Sequence, residues 1–137
     1  MTDAVRPARP ADVEEICRAL PEVEYGVSWG DRPTFKVRGK GFVRYRDKQS
    51  DAVDPVTGEL YDDVIVVETG DADTKDALVA DPGTPWFTTD HFARSRAVLV
   101  RESRLGELSR GELAEVITSA WASKAPKTLV RGLLGDG

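Results

Sequence analysis

The chain of 137 residues contains one cysteine and one histidine, and each scarcity closes off a class of protein. A lone Cys17 has no partner for an internal disulfide, so an oxidising compartment offers the fold nothing. With His91 as the only histidine, a metal site would need carboxylates to complete it, and the sequence calls for no metal and no cofactor. Long apolar runs are also missing. Residues 64–67 and 97–100 are among the longest, far short of the roughly 20 residues that cross a bilayer. Residues 1–7 lack the apolar heart of a signal peptide. The expectation is a cytoplasmic protein without membrane contact. There is no G-x-S-x-G elbow, and Gly39-Lys40-Gly41 lacks the rest of a phosphate loop, so binding is favoured over catalysis.

What is present fits one folded domain. The hydrophobic share of 40% and charged share of 31% are those of a globular chain. The formal net charge of −5 argues against a protein that coats nucleic acid indiscriminately, yet the charges are segregated. Between positions 32 and 48 the bases Arg32, Lys36, Arg38, Lys40, Arg44, Arg46 and Lys48 face only Asp47. Between 51 and 90 the acids Asp51, Asp54, Glu59, Asp62, Asp63, Glu68, Asp71, Asp73, Asp76, Asp81 and Asp90 face only Lys75. Such asymmetry speaks to partners rather than to fold.

Residues 1–10 read as a loose arm, and residues 11–134 as a single domain. Asp12 and Glu15 make a D-x-x-E capping box ahead of a stripe of Val13, Ile16, Cys17 and Leu20, a helix that stops before Pro21. Cys17 on that stripe reads as a core thiol. Gly26, Gly30 and Pro33 punctuate a connector. Phe35 and Val37 then alternate with Lys36 and Arg38, and Val43 and Tyr45 with Arg44 and Arg46. The turn between them is placed at Gly39-Lys40-Gly41, which gives an antiparallel hairpin. Residues 47–58 read as a flexible loop and 63–68 as a buried strand. Asp73 is placed as the cap of a short helix ending near Val79. Strands are expected at 86–89 and 97–101, and Ser109 with Glu112 opens a helix striped by Leu113, Val116, Ile117, Ala120 and Trp121. The order predicts an α+β fold, a mostly antiparallel sheet packed by N- and C-terminal helices.

Several pieces, in this order, resemble the MmcQ/YjbR family of small bacterial proteins. They are Ser28-Trp29-Gly30, then Pro33-Thr34-Phe35-Lys36-Val37-Arg38-Gly39-Lys40-Gly41-Phe42, and Trp86-Phe87-Thr88-Thr89-Asp90-His91-Phe92. Ala97-Val98-Leu99-Val100-Arg101 and Trp121-Ala122-Ser123-Lys124-Ala125-Pro126-Lys127 follow. The resemblance implies a double-wing arrangement and a DNA-binding label that rests on fold likeness alone. The acidic stretch between Asp47 and Asp63 departs from the shorter family pattern and would block the basic hairpin if it folded over it.

Two site readings follow. In the first, a non-enzymatic binding domain contacts a DNA or RNA backbone through Lys36, Arg38, Lys40, Arg44 and Arg46, provided the turn register puts these cations on one face. The bland alternative is an edge ribbon whose bases pair with nearby acids. In the second, Trp29, Lys36 and His91, with Lys127 as a weaker member, line a pocket for a small ligand or an uncharacterised reaction. A protein partner docking on the acidic loop is a third option. Lys124, beside Pro126 at a helix end, is read only as a complement to the helix dipole.

Overall fold

A computed structural model describes residues 5–28, 32–46 and 52–134. Its elements run α1 (Pro10–Ala19), β1 (Val23–Ser28), β2 (Arg32–Val37), β3 (Lys40–Tyr45), β4 (Val64–Glu68), α2 (Ala72–Ala80), β5 (Ala97–Arg101), α3 (Arg110–Lys124) and α4 (Lys127–Leu134). The strands form one antiparallel sheet in the order β1-β2-β3-β4-β5. The α+β expectation holds. No helix among the described residues is long and apolar enough to cross a membrane.

One face of the sheet carries the main core. Phe35, Val37, Val43, Ile65, Val67, Val98 and Val100 point there and meet Val13, Ile16 and Cys17 of α1 and Leu113, Ile117, Ala120 and Trp121 of α3. The Trp121 indole donates to the Pro21 carbonyl at 3.0 Å, fastening α3 to the end of α1. Cys17 is fully buried, and desolvation pushes its thiol up to about 12, as a core thiol should behave.

The helix starts sort differently from the sequence reading. Ser109 and Glu112 do form the reciprocal box, with bonds of 3.1 and 2.8 Å. Helix α1, however, begins at Pro10, a residue well suited to a first helical position, and Asp12 sits in its first turn. Asp12 accepts from the Arg9 amide at 2.8 Å, and Glu15 takes no part in the cap. Asp12 also binds Arg6 at 2.6 Å and faces Arg110 at 3.5 Å, which draws its pKa down to about 2, chiefly through the Arg6 bond. Residues 5–9 are accordingly tied down rather than loose: Ala8 is buried and its amide donates to the Leu108 carbonyl. Asp71, not Asp73, caps α2, accepting from the amides of Asp73 and Thr74.

The opposite face of the sheet is divided. Over β4 and β5, Val64, Val66, Ala97 and Leu99 are covered by Phe92, Phe87 and Tyr61. The segment that brings Phe87 and Phe92 there makes a single bridge, Phe87 to Leu99, in place of the expected strand, followed by a 3₁₀ turn at Asp90–Phe92. Lys75, buried on α2, holds it from behind by donating to the carbonyls of Phe92 and Ser95. Over β2 and β3 the same face carries polar side chains.

Candidate anion-binding groove

That polar half owes its composition to two details of the β2–β3 hairpin. The turn is Arg38-Gly39, one residue earlier than the glycine spacing indicates, with Val37 facing Lys40. Both turn residues have positive φ, 51° and 80°, as a tight two-residue hairpin requires, and Gly39 adopts this without strain. Arg38 adopts it because its guanidinium is gripped by Glu22, at 2.6 and 3.1 Å, and Glu22 also has a positive φ of 56°. Arg38 therefore leaves the strand and the face that alternation assigns to it.

The second detail is a bulge. Phe35 faces Val43 but Lys36 faces Gly41, so Phe42 is the extra residue, and both Phe42 and Val43 are buried. Without it, Gly41 and Arg44, three apart, would lie on opposite faces of the strand. With it, Thr34, Lys36, Gly41 and Arg44 share the outer face. Arg46, two residues further along, lies over the Phe92 ring at 5.0 Å and marks the border with the apolar half.

The end of α3 closes the other side. Gly70, just beyond β4, has a φ of 78°, and a Cβ there would come within 2.2 Å of the Ser123 Cβ. This close approach brings Lys124 to Glu68 at 3.5 Å, while Arg44 reaches the same carboxylate at 3.8 Å. The result is a cavity of about 320 Å³ lined by Thr34, Lys36, Gly39, Lys40, Gly41, Arg44, Glu68 and Lys124. Among the described residues Glu68 is the only acid in that lining, against Lys36, Lys40, Arg44 and Lys124, and no aromatic side chain joins them. The described lining therefore offers cationic donors and no stacking surface.

Of the residues the sequence points to, Lys36, Lys40 and Arg44 thus come together. Arg38 turns to Glu22, and Arg46 to Phe92. Trp29 lies outside the described residues. His91 stands exposed on its 3₁₀ turn with its ring edge-on to Phe92, and Lys127 is exposed at the start of α4; neither lines the cavity that holds Lys36. Tyr25, half exposed, packs edge-on to Phe35 beside Arg18, on the core side of the sheet. Lys124 is the residue that sequence reasoning passed over. Its only local signal was its place in a piece resembling the family, because the fold, through Gly70 and Ser123, is what delivers it.

The described part of the acidic loop lies elsewhere. Asp54 accepts from the amides of Val56 and Thr57, and a bridge joins Val53 to Leu60, so residues 52–60 form a self-bonded hook. Asp63 then binds Arg101 at 2.8 Å and the Ser103 amide at 3.1 Å. Burial pushes the Asp63 pKa up, but the Arg101 and Ser103 bonds outweigh it and the net shift is downward. Arg101 lies 4.0 Å from the Tyr61 ring centre, and Asp54, Glu59 and Asp62 line a cavity with it. These acids serve β5. Among the described residues no three metal-ligating side chains gather.

Comparison with known proteins agrees with the sequence resemblance. The YjbR family model matches residues 18–123, which includes the groove from β2 to Ser123. The uncharacterized proteins Rv2570 of Mycobacterium tuberculosis and Mb2600 of Mycobacterium bovis are each 43% identical to the chain over 74 residues. That match takes in 54% of this chain and 55% of each relative, so it spans about half the length of the curated relatives. No solved structure matches the chain.

Proposed function

This chain belongs to the YjbR family, and from that premise we propose that it is a binding domain that holds a nucleic-acid backbone in the groove of the β2–β3 hairpin. One observation carries the reading: in a protein of net charge −5, Lys36, Lys40, Arg44 and Lys124 line a single cavity in which Glu68 is the sole acid among the described residues. Contacts of Lys and Arg with phosphates supply affinity without sequence information. Among the described residues the lining holds no aromatic platform and no side-chain amide, which fits backbone contact rather than base reading. Gly39 and Gly41 bring no side chain to the lining, which lets a phosphate approach the main chain. In this reading the β2–β3 ribbon serves as the contacting wing of the double-wing arrangement that the family resemblance brings.

The test is a fluorescence-anisotropy titration of labelled single-stranded and duplex DNA, at low and at moderate salt. Binding at low salt with a Kd in the micromolar range, lost progressively as salt rises, is the expected result. Silence at low salt, or a Lys40→Glu/Arg44→Glu variant that binds as well as the parent chain, overturns it.

A further inference from the structure

The groove does not stop at Lys124. A second cavity of about 200 Å³ adjoins it, lined by Glu68, Gly70, Arg96, Ala97, Ser123 and Lys124. Glu68 and Lys124 are therefore a wall common to both. The added space equals several waters at about 30 Å³ each, enough for a hydrated anionic group. Again Glu68 is the only acid among the described lining residues, now against Arg96 and Lys124.

Arg96 is placed with unusual care for an exposed residue. Its carbonyl accepts from the amide and hydroxyl of Thr69, at 3.1 and 2.6 Å, and Thr69 is itself buried. Its guanidinium gives one N–H to the Gly70 carbonyl at 3.0 Å. A guanidinium has five such donors, so most remain for a ligand. No carboxylate lies within ion-pair distance of it among the described residues. Asp71 feels its charge: the Asp71 pKa is lowered mainly by the Thr74 hydroxyl and Asp73 amide, with Arg96 adding a smaller pull. Asp71 is occupied as the cap of α2.

We propose that the two cavities are consecutive subsites for one strand, so that the ligand is a nucleic-acid strand carrying at least two successive phosphates that straddle Lys124. One phosphate lies among Lys36, Lys40 and Arg44, and the next meets Arg96, with the Lys124 ammonium between them. Glu68 disfavours a single phosphate centred over the shared wall and favours a pair set on either side of it. Two linked phosphates also gain from effective concentration, because the second contact becomes intramolecular. The inference rests on the backbone reading given above and extends it to Arg96, which lies outside the hairpin.

The experiment titrates the full chain with labelled ligands of rising length: a mononucleotide, a 5′-phosphorylated dinucleotide and a tetranucleotide. Affinity is expected to rise about tenfold from the first to the second as a second phosphate contact forms, and Arg96→Glu removes that gain while leaving the mononucleotide unaffected. The salt slope for the tetranucleotide falls by about 0.7 in Arg96→Glu and stays at the parent value in Arg96→Lys. Arg96→Gln, which carries no repulsive charge into the fold, repeats the loss in milder form and guards against misfolding of the reversal. If oligonucleotides bind and Arg44→Glu weakens them, but Arg96→Glu and Arg96→Gln both match the parent at every length, the second subsite is wrong while the groove stands. If no length binds at all, the backbone reading itself fails and takes this inference with it.

Discussion

Two sets of cations flank the outer face of this sheet, and their surroundings differ sharply. On the β5 side, Arg101 is clasped by Asp63 at 2.8 Å and Arg104 by Glu107 at 2.6 Å, with Asp54, Glu59 and Asp62 close by. On the hairpin side, Lys36, Lys40, Arg44 and Lys124 line one cavity with Glu68, which stands 3.8 Å from Arg44 and 3.5 Å from Lys124. In one region each arginine has its own close carboxylate; in the other two cations divide a single one at longer range. The count of bases in a stretch of sequence does not separate the two cases. Pairing geometry does, and it is set by the turn at Arg38, the bulge at Phe42 and the contact of Gly70 with Ser123.

The largest effect expected from this contrast is on affinity. Lys36→Glu with Arg44→Glu weakens binding to a short DNA strand at low salt by about a hundredfold, equivalent to about 2.7 kcal/mol. Arg101→Gln with Arg104→Gln stays within about twofold of the parent in the same titration. Equal losses from the two pairs would erase the distinction between the regions.

Next comes stability, where the paired acids dominate. Asp12→Asn leaves Arg6 and Arg110 without their buried partner and costs about 2–3 kcal/mol, read as a lower urea midpoint. The same carboxyl sets an acid limit. Its folded pKa of about 2 lies below its ordinary value of 3.8, so its stabilisation is full above that ordinary value and drains away as pH falls from there toward 2. The amount is about 2 kcal/mol, and Asp63, shifted in the same direction, adds to it. In Asp12→Asn the loss of stability between pH 4 and pH 2 is correspondingly shallower, as chemical denaturation at a series of pH values would record.

The smallest effect sharpens the comparison from the groove side. Glu68→Gln removes the one negative charge among the described lining residues and raises DNA affinity about threefold to fivefold, with stability changed by less than about 1 kcal/mol, as suits a partly exposed pair. A drop in affinity would mean that Glu68 positions the cations rather than competes with the ligand.

Much of the frame was legible in the chain. The β-branched run at β4, the apolar run at β5 and the Ser109–Glu112 box each announce their element through local chemistry, and the hairpin follows from alternation. β1 was missed because Gly26 reads as punctuation, yet it sits in mid-strand opposite Thr34. A side chain added there would meet only the end of Lys36, at 3.9 Å, so the glycine leaves the strand intact. The turn slipped by one residue because Arg38, a residue without glycine's freedom, takes the left-handed conformation under the grip of Glu22. The groove was half legible for the same reason. Lys36 and Arg44 sit in a readable ribbon, but their common face depends on a bulge, and Lys124 arrives through packing between residues more than fifty positions apart.

Phosphate binding in the groove of Lys36, Lys40, Arg44 and Lys124 is tested most directly by the salt dependence of affinity. For a short single strand, log affinity plotted against log salt is expected to fall with a slope of about −1.4 or steeper, as at least two phosphate contacts at about 0.7 each require. The slope should flatten toward about −0.7 in Lys36→Ala/Arg44→Ala. A flat line for the parent chain, or a slope that the groove substitutions leave unchanged, would contradict the account.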